Sequence, residues 1–234
     1  MRHIQAVGYV AVALMASTGL VSAAITEGQR QRIRDSAAVL DEIHNAPDKG
    51  IPENLWEKAA CVVVIPAVKK GAFVVGGEYG KGVMSCRAGS GWSALSSVML
   101  AKGSVGFQIG GEAVDLVLLV MNERGVKKLL EDKVTLGGEA SVAGGPVGRD
   151  ARALTDLQLK AEMLSWSRSQ GVFAGVDLSG GTLKPDRDDN RKLYGRPVSA
   201  RDILVDKRVT PTPEEAPFMA ALGRNVPAES PHRQ

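Results

Sequence analysis

Apolar residues repeat at two different spacings along this chain, and the spacing separates helices from strands. Between Ala24 and Asn45 they recur every three or four residues, at Ile33, Ala37, Leu40 and Ile43. This spacing predicts an amphipathic helix that packs one face on a core. Contact of that helix with a membrane is the alternative interpretation. Shorter helices are predicted at residues 51–60, 122–131, 188–194 and 199–204.

Strands are predicted from Cys61 onward. Cys61 to Ile65 is apolar without alternation, which is typical of a strand buried on both faces, and Pro66 is expected to end it. A basic turn is expected at 67–71. Seventeen of the 27 glycines lie between Gly71 and Gly148, among β-branched residues. Such glycines favour strands that bend, bulge or approach another backbone closely. The predicted fold is α+β: a strongly bent, Gly-rich antiparallel sheet or partial barrel, flanked by an N-terminal helix and short helices.

The two ends of the chain differ from this pattern. Residues 1–23 carry an apolar run of about 14 residues followed by Val21-Ser22-Ala23, which predicts a signal peptide cleaved near Ala23. The run is shorter than the roughly 20 residues of a membrane-spanning helix. Residues 24–206 are predicted to form one domain. Residues 207–234 contain five prolines and no periodicity, so a disordered tail is predicted. The expected location is the periplasm or the envelope.

Export changes the interpretation of the two cysteines. In an oxidising compartment, Cys61 and Cys86 are expected to form a disulfide, because they begin and end neighbouring strand-forming segments. The mature chain keeps only His44 and His232. Too few ligands remain for a structural zinc site, so no metal and no cofactor is expected.

The motifs of common catalytic and nucleotide sites do not fit. Lys81 follows glycines as in a phosphate-binding loop, but Val75 stands where that motif requires glycine and Gly82 where it requires Ser or Thr. A net charge of +3 gives no case for nucleic-acid binding. No catalytic residue is assigned. A hydrolase of unknown type, using Ser93, Ser141 or His44, is kept as the second alternative.

Five cations in the glycine-rich stretch lie on predicted turns or strand ends. If these turns meet at one end of the sheet, the side chains form a basic rim. Each lysine near an anionic bilayer contributes about 1 kcal/mol to binding. Scattered, solvated charge is the alternative interpretation. The candidate lipid-binding residues are Lys69, Lys70, Lys81, Arg87 and Lys102.

Several short segments share their order and spacing with a known family. They are residues 61–71, 73–83, 91–94, 105–117, 121–125, 140–149 and 167–176. Over Ala37 to Leu204 the chain resembles the SYLF domain, a lipid-binding family of bacterial envelope proteins and of eukaryotic proteins of membrane traffic and cortical actin. The resemblance implies phospholipid binding without catalysis, and actin binding in some fungal members.

The expected function combines this resemblance with the predicted signal peptide. It is non-catalytic binding of anionic phospholipid at a bacterial envelope membrane. Actin and phosphoinositides are not expected as partners, because the sequence contains no SH3 or FYVE module. The first alternative is an envelope scaffold that binds another protein through an exposed strand edge.

Overall fold

The computed structural model describes residues 25–46, 50–73, 75–89, 91–105, 113–148, 156–169 and 171–226. The predicted signal peptide lies outside these ranges. The helices are α1 (Glu27–His44), α2 (Glu53–Lys58), α3 (Glu123–Leu129), α4 (Asp156–Lys160), α5 (Arg187–Tyr194), α6 (Ala200–Leu204) and α7 (Ala216–Asn225). The strands are β1 (Cys61–Phe73), β2 (Val75–Ala88), β3 (Gly91–Trp92), β4 (Ser96–Val105), β5 (Ala113–Val120), β6 (Val134–Thr135), β7 (Val142–Gly144), β8 (Met163–Ser169), β9 (Val172–Gly175) and β10 (Gly181–Pro185).

The strands form one sheet in the order β6-β10-β4-β2-β1-β5-β8-β7, with β3 added to β2 and β9 to β8. Every pairing is antiparallel except that of β7 with β8, which is parallel. The sheet curls strongly into a half-barrel. The predicted α+β class and the bent sheet are therefore confirmed, with one parallel pair that the sequence did not indicate.

Both faces of the sheet carry a hydrophobic core. Val62 and Val64 of β1 point into the core that contains residues of α1, α2 and α7. Cys61, Val63 and Ile65 point into the core on the opposite face, which contains residues of α3 and α6. All five are fully buried. The prediction of a strand buried on both faces is confirmed, and β1 is the central strand between β2 and β5.

Pro66 does not end β1, contrary to the sequence expectation. Between Ile65 and Val68 the pairing of β1 with β5 shifts, so that two residues of β1 oppose the single residue Asp115. Ala67, with a φ of 49°, is one of these two residues, and its N–H donates to Asp115 Oδ1 at 2.9 Å. A bulge tolerates proline because the ladder is already interrupted there. The expected basic turn at 67–71 is thus a continuation of the strand.

Two glycines of β2 make room for this bulge. A Cβ on Gly82 would lie 2.0 Å from the carbonyl oxygen of Val64, and a Cβ on Gly80 would lie 2.7 Å from side-chain atoms of Ile65 and Val68. Any larger residue would push β1 and β2 apart. These glycines permit the close approach of two backbones that their density in the sequence predicted.

The expectation of disorder from residue 207 is wrong for the described part of the tail. A 3₁₀ turn (Pro213–Glu215) leads into α7, which packs against α1. Phe218 and Leu222 are fully buried. Trp92 Nε1 donates to the carbonyl of Val226 at 3.1 Å, and Arg224 pairs with Asp41 at 2.9 Å. A ten-residue helix with one apolar face is stabilised by packing, which the count of prolines did not reveal.

Candidate functional site

Three of the five predicted cations lie together at one end of the sheet. There β1, β2 and β4 run side by side, so that each row across them contains one residue from each strand. The outermost rows are close to the connections after Phe73 and Val105. Two neighbouring rows carry the charge: Lys69–Tyr79–Ala101 and Lys70–Glu78–Lys102.

Beyond the two charged rows the sheet continues for three more. The first of these contains only glycine, the second contains small residues, and the last is apolar. They are Gly71–Gly77–Gly103, Ala72–Gly76–Ser104 and Phe73–Val75–Val105. We call the five rows together the sheet end. Its order from the body of the sheet outward is a basic collar, a band without large side chains, and an apolar terminal row.

The side chains that the structure describes in this collar reach solvent. Lys69 is exposed, and Tyr79 is 45% exposed although it is aromatic. Lys102 is half-buried, and its Nζ donates to the carbonyl of Asp177 at 3.2 Å. For Lys70 the structure describes only the backbone position opposite Glu78. An exposed tyrosine beside a lysine, as Tyr79 lies beside Lys69, suits a membrane interface because one end of its ring is apolar and the other is polar.

Lys81 lies near the collar but binds carboxylates of its own chain. Its Nζ is 2.6 Å from Asp186 Oδ2 and 3.1 Å from Asp189 Oδ2. Arg32 of α1 contacts the same Asp189 oxygen at 2.9 Å. Burial lowers the pKa of Lys81, but its bonds to the two carboxylates outweigh burial and raise it overall. The cluster joins α1 and α5 to β2, so Lys81 stabilises the fold.

Arg87 lies at the other end of β2. It is eight residues beyond Tyr79, which corresponds to about 26 Å along an extended strand. Its guanidinium donates to the carbonyls of Ala59 and Trp56 at 2.9 and 3.0 Å and lies 4.8 Å from the centre of the Trp92 ring. The five predicted cations therefore do not form one rim. Lys69, Lys70 and Lys102 come together, while Lys81 and Arg87 lie elsewhere.

The predicted disulfide is confirmed. Cys61 and Cys86 face one another across β1 and β2 and are bonded. Among the residues that the structure describes, no group of three or more His, Cys, Asp or Glu side chains could hold a metal ion. The same residues include no helix long and apolar enough to cross a bilayer.

The serines of the hydrolase alternative take part in local structure. The Ser93 hydroxyl is buried, accepts from the Cys86 N–H at 3.0 Å and contacts the Ala94 carbonyl at 2.9 Å. The Ser141 hydroxyl accepts from the N–H of Glu162 at 2.9 Å. His44 is the last residue of α1. Both serine hydroxyls therefore form hydrogen bonds with the backbone at strand connections.

Sequence comparison identifies the family of this fold. The family described as Ysc84, Las17-binding protein actin regulator, matches residues 101–225. Human SH3 domain-containing YSC84-like protein 1 is 34% identical over 199 residues, which cover 82% of this chain and 57% of that protein. The chain belongs to the Ysc84, or SYLF, family. LAS seventeen-binding protein 3 of Saccharomyces cerevisiae is 35% identical over 179 residues, 75% of this chain and 39% of that protein.

Membership in the Ysc84 family confirms the resemblance that the sequence segments indicated. It gives no support to the expectation that actin is an unlikely partner, because the family description names an actin regulator. The chain spans a little over half of the human relative's length. The family match extends through α7, in agreement with a domain that includes this helix.

The sequence did not identify two parts of the sheet end. Tyr79 and the apolar row Phe73–Val75–Val105 lie in the same glycine-rich stretch as the lysines. Their alternation with glycine was visible, but the pairing that aligns residues from three strands was not. The acidic partners of Lys81 were missed because they lie more than 100 residues later in the chain.

Proposed function

We propose that this protein binds anionic phospholipid membranes without catalysis, and that the sheet end makes the contact. The observation that carries the proposal is the order of rows at the ends of β1, β2 and β4. An apolar terminal row is followed inward by the band without large side chains and then by the basic collar, which contains three lysines and Glu78. A membrane surface has the matching order, with hydrocarbon inside and phosphate groups outside.

The spacing of these rows fits the depth of a bilayer interface. Lys70 and Phe73 are three residues apart on β1, a separation of about 10 Å along a strand. Apolar groups of peripheral proteins enter the boundary between headgroups and acyl chains by about 5–10 Å. With Phe73 at that depth, the lysine rows lie at the level of the phosphates. The two rows between them contain only glycine, alanine and serine, so no large side chain hinders entry.

The lysines also set the expected strength of binding. At about 1 kcal/mol for each lysine near an anionic surface, Lys69, Lys70 and Lys102 contribute about 3 kcal/mol, and repulsion of the Glu78 carboxylate in the same row reduces this to about 2 kcal/mol. This corresponds to roughly a 30-fold preference for anionic over neutral membranes. Because electrostatic attraction to a bilayer surface is screened by salt, the preference falls as salt concentration rises.

Liposome flotation of residues 24–234 tests the proposal. Vesicles of phosphatidylcholine alone are compared with vesicles that also contain phosphatidylglycerol. We expect flotation only with the anionic vesicles, and less of it at high salt. The variant K69E/K70E/K102E is expected to lose flotation and keep the thermal midpoint of the wild type. The matched control, K133E/K160E/K184E, reverses three exposed lysines in other parts of the structure and is expected to float.

Two results would contradict the proposal. If the wild-type protein floats with none of the vesicles, the protein does not bind membranes and the proposal is wrong. Flotation of K69E/K70E/K102E at the wild-type level moves the contact away from the sheet end, and α1 becomes the next candidate.

Localisation is part of the same proposal. The apolar run before Ala23 supports export and cleavage, which would bring the sheet end to a bacterial envelope membrane. Fractionation of producing cells, with N-terminal sequencing of the mature protein, is expected to find a chain that begins near Ala24 outside the cytoplasm. An uncleaved chain in the cytoplasm would contradict this part.

Protein binding through a strand edge is the second candidate function. The yeast relative is named as a LAS seventeen-binding protein, and the family description includes actin regulation. In the described residues β9 pairs with β8 alone, and Val172 at its start is 47% exposed. A strand of this kind can add a partner strand by backbone hydrogen bonds. Co-sedimentation with filamentous actin in the absence of lipid would favour this candidate.

A further inference from the structure

A second basic site lies at the opposite end of β2. A surface cavity of about 450 Å³ opens between the ends of β1 and β2 on one side and helices α3 and α6 on the other. This volume lies within the range of small-molecule sites, roughly 300–1,000 Å³. Arg87, which the sequence grouped with the sheet-end lysines, lines this cavity instead.

Cationic side chains from three parts of the chain meet around the cavity. Arg87 comes from β2, Lys127 from α3, and Arg201 and Lys207 from α6 and the segment after it. Among the described residues that line the cavity, Glu123 is the one carboxylate. The cavity wall therefore concentrates positive charge in one place, although the chain as a whole carries only +3. An anion would meet several donors at once.

Three of these cations have no ion-pair partner among the described residues, whereas their neighbours in sequence do. Lys128 binds Glu162 at 2.7 Å, and Arg208 lies 3.4 Å from Asp202. Lys127, Arg201 and Lys207 are exposed and take part in no salt bridge within the part of the chain that the structure describes. Like charges gathered around one cavity repel each other, so a bound anion would stabilise the arrangement.

One of these cations has a strained backbone that its surroundings hold in place. Lys207 has a φ of 51°, a conformation in which glycine or asparagine is usual. Its Nζ lies 3.7 Å from the point where a Cβ of Gly89 would stand, so the amine reaches across to the end of β2. The two flanking residues are fixed by hydrogen bonds to α6, from Asp206 N to the Arg201 carbonyl at 3.0 Å and from Arg208 N to the Asp202 carbonyl at 2.7 Å. Strained residues of this kind concentrate at binding sites.

The remaining wall is apolar. Val126 of α3, Leu130 just after it and Leu204 of α6 line the cavity beside the Cys86 half of the disulfide. The chemistry of the wall therefore has two parts, a cluster of cations and an apolar surface next to it. A ligand that satisfies both has an anionic head and an attached apolar group.

We infer that this cavity binds a phosphate ester that carries an apolar group. Arg201 supplies a planar guanidinium group, which matches phosphate oxygens, and Lys127 and Lys207 add charge. Arg87, whose guanidinium donates to the carbonyls of Ala59 and Trp56, contributes its positive charge to the wall. The apolar part of the ligand contacts Val126, Leu130 and Leu204. The site is about 26 Å along β2 from the sheet end, so it is independent of the proposed membrane contact. Either a lipid molecule or a soluble phosphate ester could supply this chemistry.

Calorimetric titration of residues 24–234 tests the inference. The probes are inorganic phosphate, hexyl phosphate and dihexanoyl phosphatidic acid, with dihexanoyl phosphatidylcholine as the zwitterionic control. We expect hexyl phosphate to bind at least about 10-fold more tightly than inorganic phosphate, because its chain buries apolar surface. Tighter binding of the phosphatidic acid would indicate a lipid source, and tighter binding of hexyl phosphate a soluble one.

Variants then assign the binding to this cavity. K127E/R201E is expected to weaken hexyl phosphate binding by about 10- to 100-fold, the usual effect of losing charge-assisted hydrogen bonds. The control K160E/K184E makes the same change in net charge at other exposed positions and is expected to bind normally, as is K69E/K70E/K102E. K207G is expected to weaken binding without lowering the thermal midpoint, because glycine relieves the strain at that φ.

The inference is overturned if neither hexyl phosphate nor dihexanoyl phosphatidic acid binds at millimolar concentration. It is also overturned if K127E/R201E binds as the wild type does. Neither result would bear on flotation, because the sheet-end lysines are unchanged in both experiments.

Discussion

Reduction of the Cys61–Cys86 disulfide is expected to lower the free energy of unfolding by about 3.5 kcal/mol. The bond closes a loop with a sequence separation of 25 residues. In the unfolded chain such a cross-link removes conformational entropy in proportion to the logarithm of loop length, and 25 residues give about 3.5 kcal/mol at 25 °C. The bond joins two strands, so the loop that it closes contains most of β1 and β2.

Reduction is not expected to disturb the folded structure around the bond. Both cysteines remain paired in register within the sheet. Neighbouring backbone bonds hold the same strand ends, from Ala60 N to the Val120 carbonyl at 2.7 Å and from Arg87 N to the Ala60 carbonyl at 2.8 Å. The effect is therefore expected in the unfolded state, which becomes less compact, so the denaturant slope m rises slightly.

Urea unfolding followed by tryptophan fluorescence, with and without reductant, measures both quantities. The variant C61A/C86A serves as the control, since its stability cannot depend on reductant. A fall of less than about 1 kcal/mol on reduction would refute the argument from loop entropy. Loss of the native circular dichroism spectrum on reduction would refute the claim that the surrounding hydrogen bonds preserve the fold.

Four further predictions concern stability. Gly82→Ala is expected to lower the free energy of unfolding in urea by about 3 kcal/mol or more, because the added Cβ would lie 2.0 Å from a carbonyl oxygen of β1. A Cβ added at Gly103 would have no atom within 4 Å, so the control Gly103→Ala is expected to stay within about 1 kcal/mol of the wild type. Lys81→Met removes the ammonium partner of the buried Asp186 carboxylate, whereas Asp189 keeps Arg32, and we expect a loss of about 3 kcal/mol and a lower thermal midpoint, in contrast to the sheet-end lysines. Phe218→Ala is expected to cost about 3–5 kcal/mol in urea unfolding, a loss that a disordered tail would not show. Burial raises the pKa of the Glu215 carboxyl above 4.5, so the contribution of its protonated form to stability is complete below pH 4.5 and is lost as the pH rises through the folded-state pKa. As the pH rises from 4 to 7, the unfolding midpoint of the wild type is therefore expected to fall relative to that of Glu215→Gln. A difference between the two midpoints that stays constant with pH would contradict this prediction.

Much of the fold could be predicted because its signals are local. The three- and four-residue spacing of α1, the apolar run of β1 and the capping residue of α3 each depend on neighbours in sequence. Asn122 caps α3 as its side chain predicts, accepting from the Gly125 N–H at 3.0 Å. The disulfide was also accessible, because two cysteines in neighbouring predicted strands leave a single pairing.

Other features depend on contacts between distant segments, which composition does not record. Proline suggested the end of β1, but the bulge opposite Asp115 accommodates it. Prolines also suggested a disordered tail, but burial of Phe218 against the domain stabilises α7. In both cases a favourable tertiary contact outweighs a weak local preference.

The candidate site shows the same division. By itself the sequence determined that lysines, glycines and apolar residues alternate in one stretch and that the chain resembles the SYLF family. It could not determine which cations lie together, because the period of a strand specifies the face of each residue but not the residue opposite it. The tertiary structure decided that pairing. In the folded protein Lys69, Lys70 and Lys102 lie behind an apolar row, and Lys81 forms ion pairs with two carboxylates. Arg87 lines a separate cavity at the other end of β2.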